Sequence, residues 1–533
     1  MSTRRFSSLY RADPIPVSVG AMTAATIVSR LIGLLRTTAL AWMIPQAQFG
    51  LFGVALLAVN VLVPICSAGL YEGVMRYAPL HESQGTLRRF VSSSSAWLIG
   101  ITAVSALILF SFAAPCSVLL FTTTGAARGA QGTADAAAPV NLMHAAILCV
   151  VALAAYQSLI GLLKGLRLFR AIAVAEVLSA VLFTVLALAV AGAGYATASA
   201  LIASYAVACL VAVVLLAPGL IVRCGSGFPP ADHRHHGESR AGTVSENRQS
   251  PTLRCAKNGA PPGTTAGFLS FSVWAALAAV AWHALAYFPM WYLLKVTGSE
   301  TVGAFHAVRT ITQLVQVGAV VLTGVVAAHV TRVWEHEGRE PAIAHLTTLT
   351  KGTLVLFLIG ANALSVCRPW VMRIFPSTFD VGAAAYDPLV LFFALVGVVG
   401  LVAVRLSLVK KTRLTFLAWL VGTGVNVIAS YLLIQPSDGS ASAAGALVAA
   451  AWAGVAGVTA ALGICVALAT RERLGLDRPT LLLAAATFSL GLGWALSLPI
   501  LALLLLVAST SRLFFSPHER VLLRKLLGGL QRR

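Results

Sequence analysis

Charge is scarce in this chain of 533 residues, and negative charge is scarcest. Asp, Glu, Lys and Arg make up 11%, with 18 acids against 38 bases, while 58% of residues are hydrophobic. That balance excludes a soluble globular domain of this length. Eight cysteines, at 66, 116, 149, 209, 224, 255, 367 and 465, include no C-x-x-C pair, so neither a disulfide framework nor a zinc site is indicated. No G-x-x-x-x-G-K-[ST] occurs, which removes ATP hydrolysis through a P-loop. Large outer loops are missing too: the longest candidate, near 122–138, holds one Asp and one Arg. Membrane enzymes that transfer sugars commonly need an elaborated outer loop with catalytic groups. Transport is therefore preferred over transfer, and no catalytic residue, metal or cofactor is expected.

What the chain has is long apolar segments, each able to cross a bilayer core. Turn signals and run lengths predict helices near 17–44, 49–75, 90–121, 139–163, 168–191 and 196–222. They resume near 267–295, 301–333, 342–374, 387–409, 412–434 and 442–469. A last block, 480–515, is expected to hold two short helices meeting near Pro499. The predicted fold is an all-α polytopic membrane protein of about 14 helices. Its expected parts are an N-terminal six-helix lobe (1–222), a flexible cytoplasmic linker (223–265), a C-terminal six-helix lobe (266–478), two extra helices (479–515) and a basic amphipathic tail (516–533). The linker holds the HRHH cluster at 233–236 and too few apolar residues to bury a core.

Basic residues fill every second gap between apolar segments. If the chain starts inside, 29 lie in cytoplasmic segments, 4 in outward loops, and Arg30, Arg36, Arg309, Lys351 and Arg405 lie within or at the ends of apolar segments. Basic loops are retained on the cytoplasmic side during insertion, so both termini are expected in the cytoplasm of a cell-membrane protein. The same rule, with anionic headgroups, accounts for the pI of 10.3 without nucleic acid. The basic N-terminus could introduce a signal peptide, but 17–44 is too long, carries two arginines and lacks a small-residue cleavage site, so it reads as a retained helix.

The halves resemble each other. Phe49-Gly50-Leu51-Phe52 opens the second helix and Val302-Gly303-Ala304-Phe305 the eighth; the same offset sets Asn60 opposite Gln313. Six helices repeated in one orientation give parallel repeats, with the transport path between the lobes.

Candidate site residues are the polar exceptions inside apolar segments. An arginine near the bilayer centre costs roughly 2.5–3.5 kcal/mol on insertion scales, so it faces a cavity or a partner. Arg30 and Arg36, six residues apart, point about 120° apart and could line one broad wall. Their planar forks suit phosphate. Arg309, in the opposite lobe, could face them. Asn60 and Gln313 could hydrogen-bond sugar hydroxyls or hold helices together. Glu176 in the fifth helix is a candidate for ion or proton coupling, or a structural group near a helix start.

Four stretches carry a family likeness: Val28-Ser-Arg-Leu-Ile-Gly-Leu-Leu-Arg36, Ala68-Gly-Leu-Tyr-Glu-Gly-Val-Met-Arg-Tyr77, Gly161-Leu-Leu-Lys-Gly-Leu-Arg-Leu-Phe-Arg170 and Val302-Gly-Ala-Phe-His-Ala-Val-Arg309. They resemble the polysaccharide (O-antigen type) flippases of the multidrug/oligosaccharidyl-lipid/polysaccharide exporter superfamily. The resemblance implies two lobes forming a V around a cavity that opens alternately to each side. It implies a polyprenyl-pyrophosphate-linked saccharide as substrate, membrane lipids and polysaccharide assembly proteins as partners, and Arg30, Arg36 and Arg309 meeting the pyrophosphate. Lipid II flipping is the nearest alternative, and cation-coupled export of small molecules a further one.

Overall fold

The computed structural model describes residues 15–123, 137–225, 265–316, 330, 333–334, 338–409, 411–434, 442–510, 517 and 519. The HRHH cluster, nearly all of the expected linker and most of the basic tail lie outside them. The described fold is all-helical. The N-terminal half comprises α1 (Ile15–Met43), α2 (Gln46–Cys66), α3 (Leu70–Ser83), α4 (Leu87–Ser111), α5 (Ala113–Phe121), α6 (Ala137–Gly165), α7 (Phe169–Gly192) and α8 (Ala198–Gly225). The C-terminal half comprises α9 (Thr265–Thr297), α10 (Ser299–Thr312), α11 (Arg339–Val366), α12 (Arg368–Met372), a 3-10 segment (Ser377–Ala385), α13 (Tyr386–Leu408), α14 (Thr412–Leu433) and α15 (Ala443–Arg471). Then come α16 (Arg478–Ala486), a 3-10 turn (Thr487–Leu492) and α17 (Trp494–Thr510).

Eleven of the described helices are long and apolar enough to cross a membrane, and Arg478–Leu492 and Trp494–Val507 are shorter apolar ones. The eighth predicted crossing is represented by α10; its continuation lies outside the described residues. Two predicted helices differ instructively. The run 49–75 is broken at Ala68 and Gly69, both left-handed at φ 46° and 64°. A Cβ at Gly69 would collide with the Ser272 carbonyl of α9, so glycine lets the two halves touch there. The break in the last block falls at Gly493 (φ 82°), not near Pro499, which lies inside α17. Glycine alone takes that backbone without strain, whereas a proline early in a helix sacrifices a single backbone bond.

The most enclosed helices, α2 and α6 in the first half and α13 in the second, belong to one apolar core that continues across both halves; the outer faces of α4, α7 and α14 leave large apolar side chains such as Leu107, Val185 and Ile428 exposed, as lipid-facing surfaces should be. The halves meet along α2 and α3 against α9 and α10. At the end holding Pro45, α2 and α10 cross through Gly50 and Gly303, where added Cβ atoms would strike the Ser299 and Gln46 carbonyls. Side-chain donors tie that seam to backbone carbonyls of the other half: Gln46 Nε2 to Glu300 O (3.0 Å), Trp42 Nε1 to Ile374 O (2.9 Å), Trp291 Nε1 to Leu119 O (3.2 Å), and Lys295 Nζ to Thr122 O (2.6 Å) and Val118 O (3.2 Å). The opposite seam, toward Gln84, is aromatic. Phe268 packs on Tyr77 and Phe90 at 5.7 and 5.6 Å, and Arg76 lies 5.0 Å from the Phe271 ring.

Two of the five basic exceptions find structural partners in the C-terminal half. Lys351 is 3% exposed and pairs with Asp477 (2.6 Å) and Glu519 (2.9 Å). Burial pushes the Asp477 carboxyl up, but hydrogen bonds from Lys351 and Thr480 outweigh it and hold the group below its ordinary value. Arg405 is fully buried and reaches Leu474 O and Thr347 Oγ1, both at 3.4 Å. These two cations clamp α11, α13 and the turn before α16.

Candidate functional site

The other three exceptions, Arg30, Arg36 and Arg309, have no carboxylate partner among the described residues. Paired cations are structural; unpaired ones in a membrane interior need another account.

A cavity of about 100 Å³ opens between the halves, lined by Arg30, Trp282, His283, Ala286, Tyr287, Arg309, Gln313, Gln316 and Phe393. Helical spacing explains the set. Arg309, Gln313 and Gln316 stand at i, i+4 and i+7 along one face of α10 and the turn after it; Trp282 with Ala286, and His283 with Tyr287, are i, i+4 pairs on α9. Phe393 comes from α13 and Arg30 from α1, the sole contribution of the N-terminal half among the residues lining the cavity. No Asp or Glu is among the described residues that line it.

Arg309 is 4% exposed. Its guanidinium carbon lies 3.8 Å from the Tyr287 ring centroid and 5.7 Å from that of Phe393, while its Nε has no hydrogen-bond partner among the described residues. His283, whose Nδ1 is likewise unpartnered, stacks on Tyr287 at 6.2 Å. A desolvated cation–π contact returns about 2 kcal/mol, so the two ring contacts offset much of the roughly 2.5–3.5 kcal/mol of membrane burial, and the unpartnered Nε–H is the donor left for a ligand.

Of the predicted site residues, Arg30, Arg309 and Gln313 are brought together. The other three are not. Arg36 lies outside the cavity wall with its guanidinium carbon 3.9 Å from the Phe183 ring, inside the N-terminal half. The 120° turn between Arg30 and Arg36 carries it onto α7 rather than into the cavity. Asn60 donates to Leu56 O of its own helix at 2.7 Å, so the repeat-related pair Asn60 and Gln313 diverges in use. Glu176 accepts from Thr26 Oγ1 at 3.1 Å, strapping α7 to α1 four residues before Arg30. Sequence reasoning missed Trp282, Tyr287 and Phe393 as cavity walls. For Trp282 and Tyr287 the signal was the shared face of α9, which reads as ordinary aromatic packing until α9, α10 and α13, with Phe393, are set side by side. Among the described residues, no three His, Cys, Asp or Glu side chains cluster as a metal site.

The family described as "Polysaccharide biosynthesis protein" matches residues 17–334, more than half of the chain and every predicted site residue. The chain belongs to this family. A lipid III flippase of Escherichia coli K12 is 36% identical over 102 residues, 19% of this chain and 24% of that protein, and a lipid III flippase of Shigella flexneri matches equally. The matched stretch thus spans about a quarter of those relatives. Among solved structures, the lipid II flippase MurJ in an inward closed conformation superposes with a TM-score of 0.58 at 14% identity, covering 94% of this chain and 99% of that one. An inward-facing multidrug resistance MATE family transporter of the MOP superfamily gives 0.56 at 14%, covering 86% and 98%. At such identities these likenesses show the fold alone, one that this chain shares with those two transporters. This member of the family is a multi-span membrane protein.

Proposed function

We propose that the chain moves polyprenyl-pyrophosphate-linked oligosaccharides across the cytoplasmic membrane by alternating access, with both termini cytoplasmic. The observation that carries this reading is the cavity between the halves, whose described lining holds no carboxylate, with Arg30 from one half and Arg309, Gln313 and Gln316 from the other. Guanidinium forks suit a pyrophosphate and amides suit sugar hydroxyls. A saccharide cannot cross hydrocarbon unaided, because each unsatisfied polar group costs several kcal/mol. A polar cavity replaces its water while the lipid tail stays in the bilayer. The cavity, about 100 Å³, is far below the roughly 300–1,000 Å³ of ordinary ligand sites. Loading therefore requires the halves to part, at the Gln84 seam for entry and the Pro45 seam for release. A drug exporter for cations would need acids where the described lining of this cavity has none.

Expression in a strain lacking its polysaccharide flippase tests the reading. Surface polysaccharide should return, and Arg30→Ala with Arg309→Ala should abolish the rescue while the protein still inserts. Rescue only of a strain depleted of its lipid II flippase would reassign the cargo. Sugar transfer by the purified protein in detergent would sink the transport reading.

A further inference from the structure

Within the cavity, the two kinds of chemistry are unevenly divided. Arg30 and Arg309 come from opposite halves, but among the described lining residues the aromatic rings and the amides all belong to the C-terminal half. Trp282 presents a half-buried indole to the cavity and is braced from behind by Trp419, ring centroids 5.0 Å apart at 51°. Gln313 and Gln316 stand one turn apart on α10 and the turn after it. Neither side-chain amide has a hydrogen-bond partner among the described residues, although both border the cavity. An amide left unpartnered in a membrane interior is costly unless a ligand or water completes it. A flat apolar face beside paired donor–acceptor amides fits a pyranose, whose axial C–H groups make one apolar face and whose rim carries hydroxyl or acetamido groups. No carboxylate is among the described lining residues to select a basic sugar.

We propose that Trp282, Gln313 and Gln316 form a sugar subsite that reads the pyranose attached directly to the pyrophosphate, so that sugar selectivity resides in the C-terminal half alone. The inference rests on the flippase reading and deepens it. The indole stacks on the sugar ring, the two amides bridge its rim, and Arg309 holds the adjoining phosphate. Arg30 contributes charge from the other half and reads no sugar. When the halves part, the sugar stays seated on the C-terminal wall.

The test uses the full chain in nanodiscs and two probes that differ by one sugar: farnesyl pyrophosphate and farnesyl pyrophosphoryl-N-acetylglucosamine. Binding is followed by tryptophan fluorescence and checked by calorimetry. The glycosylated probe should bind about tenfold more tightly. Trp282→Ala and, independently, Gln313→Ala with Gln316→Ala should each collapse that tenfold difference to less than twofold, whereas Arg30→Ala should weaken both probes and preserve their ratio. Equal affinity of the two probes for the parent protein, or a ratio untouched by both C-terminal variants, would overturn the subsite and leave the flippase reading standing. Failure of the parent protein to bind either probe would overturn both. A ratio that fell with Arg30→Ala would refute the division of labour between the halves.

Discussion

Replacing Lys295 by Met tests what holds the Pro45 seam shut. The Lys295 ammonium, on α9, caps the last turn of α5 across the interface, donating to Thr122 O at 2.6 Å and Val118 O at 3.2 Å. Carbonyls at a helix C-terminus lack intrahelical donors and attract cations. Hydrogen bonds to charged groups contribute about 1.5–3 kcal/mol each, but in the open state the ammonium regains water, so a net of about 2 kcal/mol is reasonable. These bonds exist only while the seam is closed, so their loss shifts the closed–open equilibrium by their whole value. Two kcal/mol is a factor of about 30. Met keeps the apolar stem and removes the charge. In a cysteine-free background carrying Ser299→Cys, which sits in the seam beside Gly50, a charged thiol reagent applied outside should react about 30-fold faster after Lys295→Met. Lys295→Arg should stay near the parent rate. Rates within twofold of the parent in the Met variant would show that the glycine crossing and the tryptophan bonds close the seam without this cation.

The arginines should separate by position. Arg309→Ala and Arg30→Ala each weaken farnesyl pyrophosphate binding tenfold or more, because they remove charge from the cavity, whereas Arg36→Ala, stacked on Phe183 outside it, changes that affinity less than threefold; calorimetry distinguishes them. Lys351→Met breaks a buried cation from Asp477 and Glu519 and should cost stability near the low end of about 3–5 kcal/mol, since Asp477 keeps some solvent, measured as a lowered unfolding temperature in detergent. Because Asp477 is held below its ordinary value in the folded protein, its contribution is fully present above pH of about 4 and is lost as pH falls through the folded value. Thermal stability should be flat from pH 8 to 5 and drop below 4, and Asp477→Asn should lower the plateau and flatten the acid limb. Glu176→Gln keeps an acceptor for Thr26 and removes the charge: headgroup binding should persist while transport loses its acceleration by an imposed proton gradient. An unchanged gradient response would reduce Glu176 to a strap between α1 and α7.

Apolar run length and the alternation of basic gaps made the helices legible to within a few residues, because bilayer thickness imposes the first and retention of basic loops during insertion the second. Breaks inside runs were not legible. Ala68-Gly69 and Gly493 stop helices through backbone conformations that composition does not announce, and Pro499, the conspicuous breaker, is tolerated inside α17. The exceptions to the charge rule located the site only in part. Five basic residues stood out, but sequence could not tell Lys351 and Arg405, which meet acids or carbonyls from distant segments, from Arg30 and Arg309, which meet none. The difference lies in tertiary partners, and so does the displacement of Arg36 onto Phe183. The aromatic wall was hidden because Trp282 and Tyr287 look like core residues on any single helix.

The placement of two unpaired guanidiniums on opposite halves suggests why such a carrier would move only when loaded. In a medium of effective dielectric about 20, like charges about 8 Å apart repel by on the order of 2 kcal/mol, so an empty cavity would resist any closure that brought Arg30 and Arg309 that near. A pyrophosphate placed between them reverses the sign of that interaction and draws the halves together around it. Arg30 is the group whose distance to the headgroup changes most, because all other polar lining belongs to the C-terminal half. Its helix is strapped by Thr26 to Glu176, so any event that alters that carboxylate acts on the same arginine. Under the proposed reading, cargo charge and coupling charge would converge on α1, while the C-terminal half would supply the surface that selects what is carried.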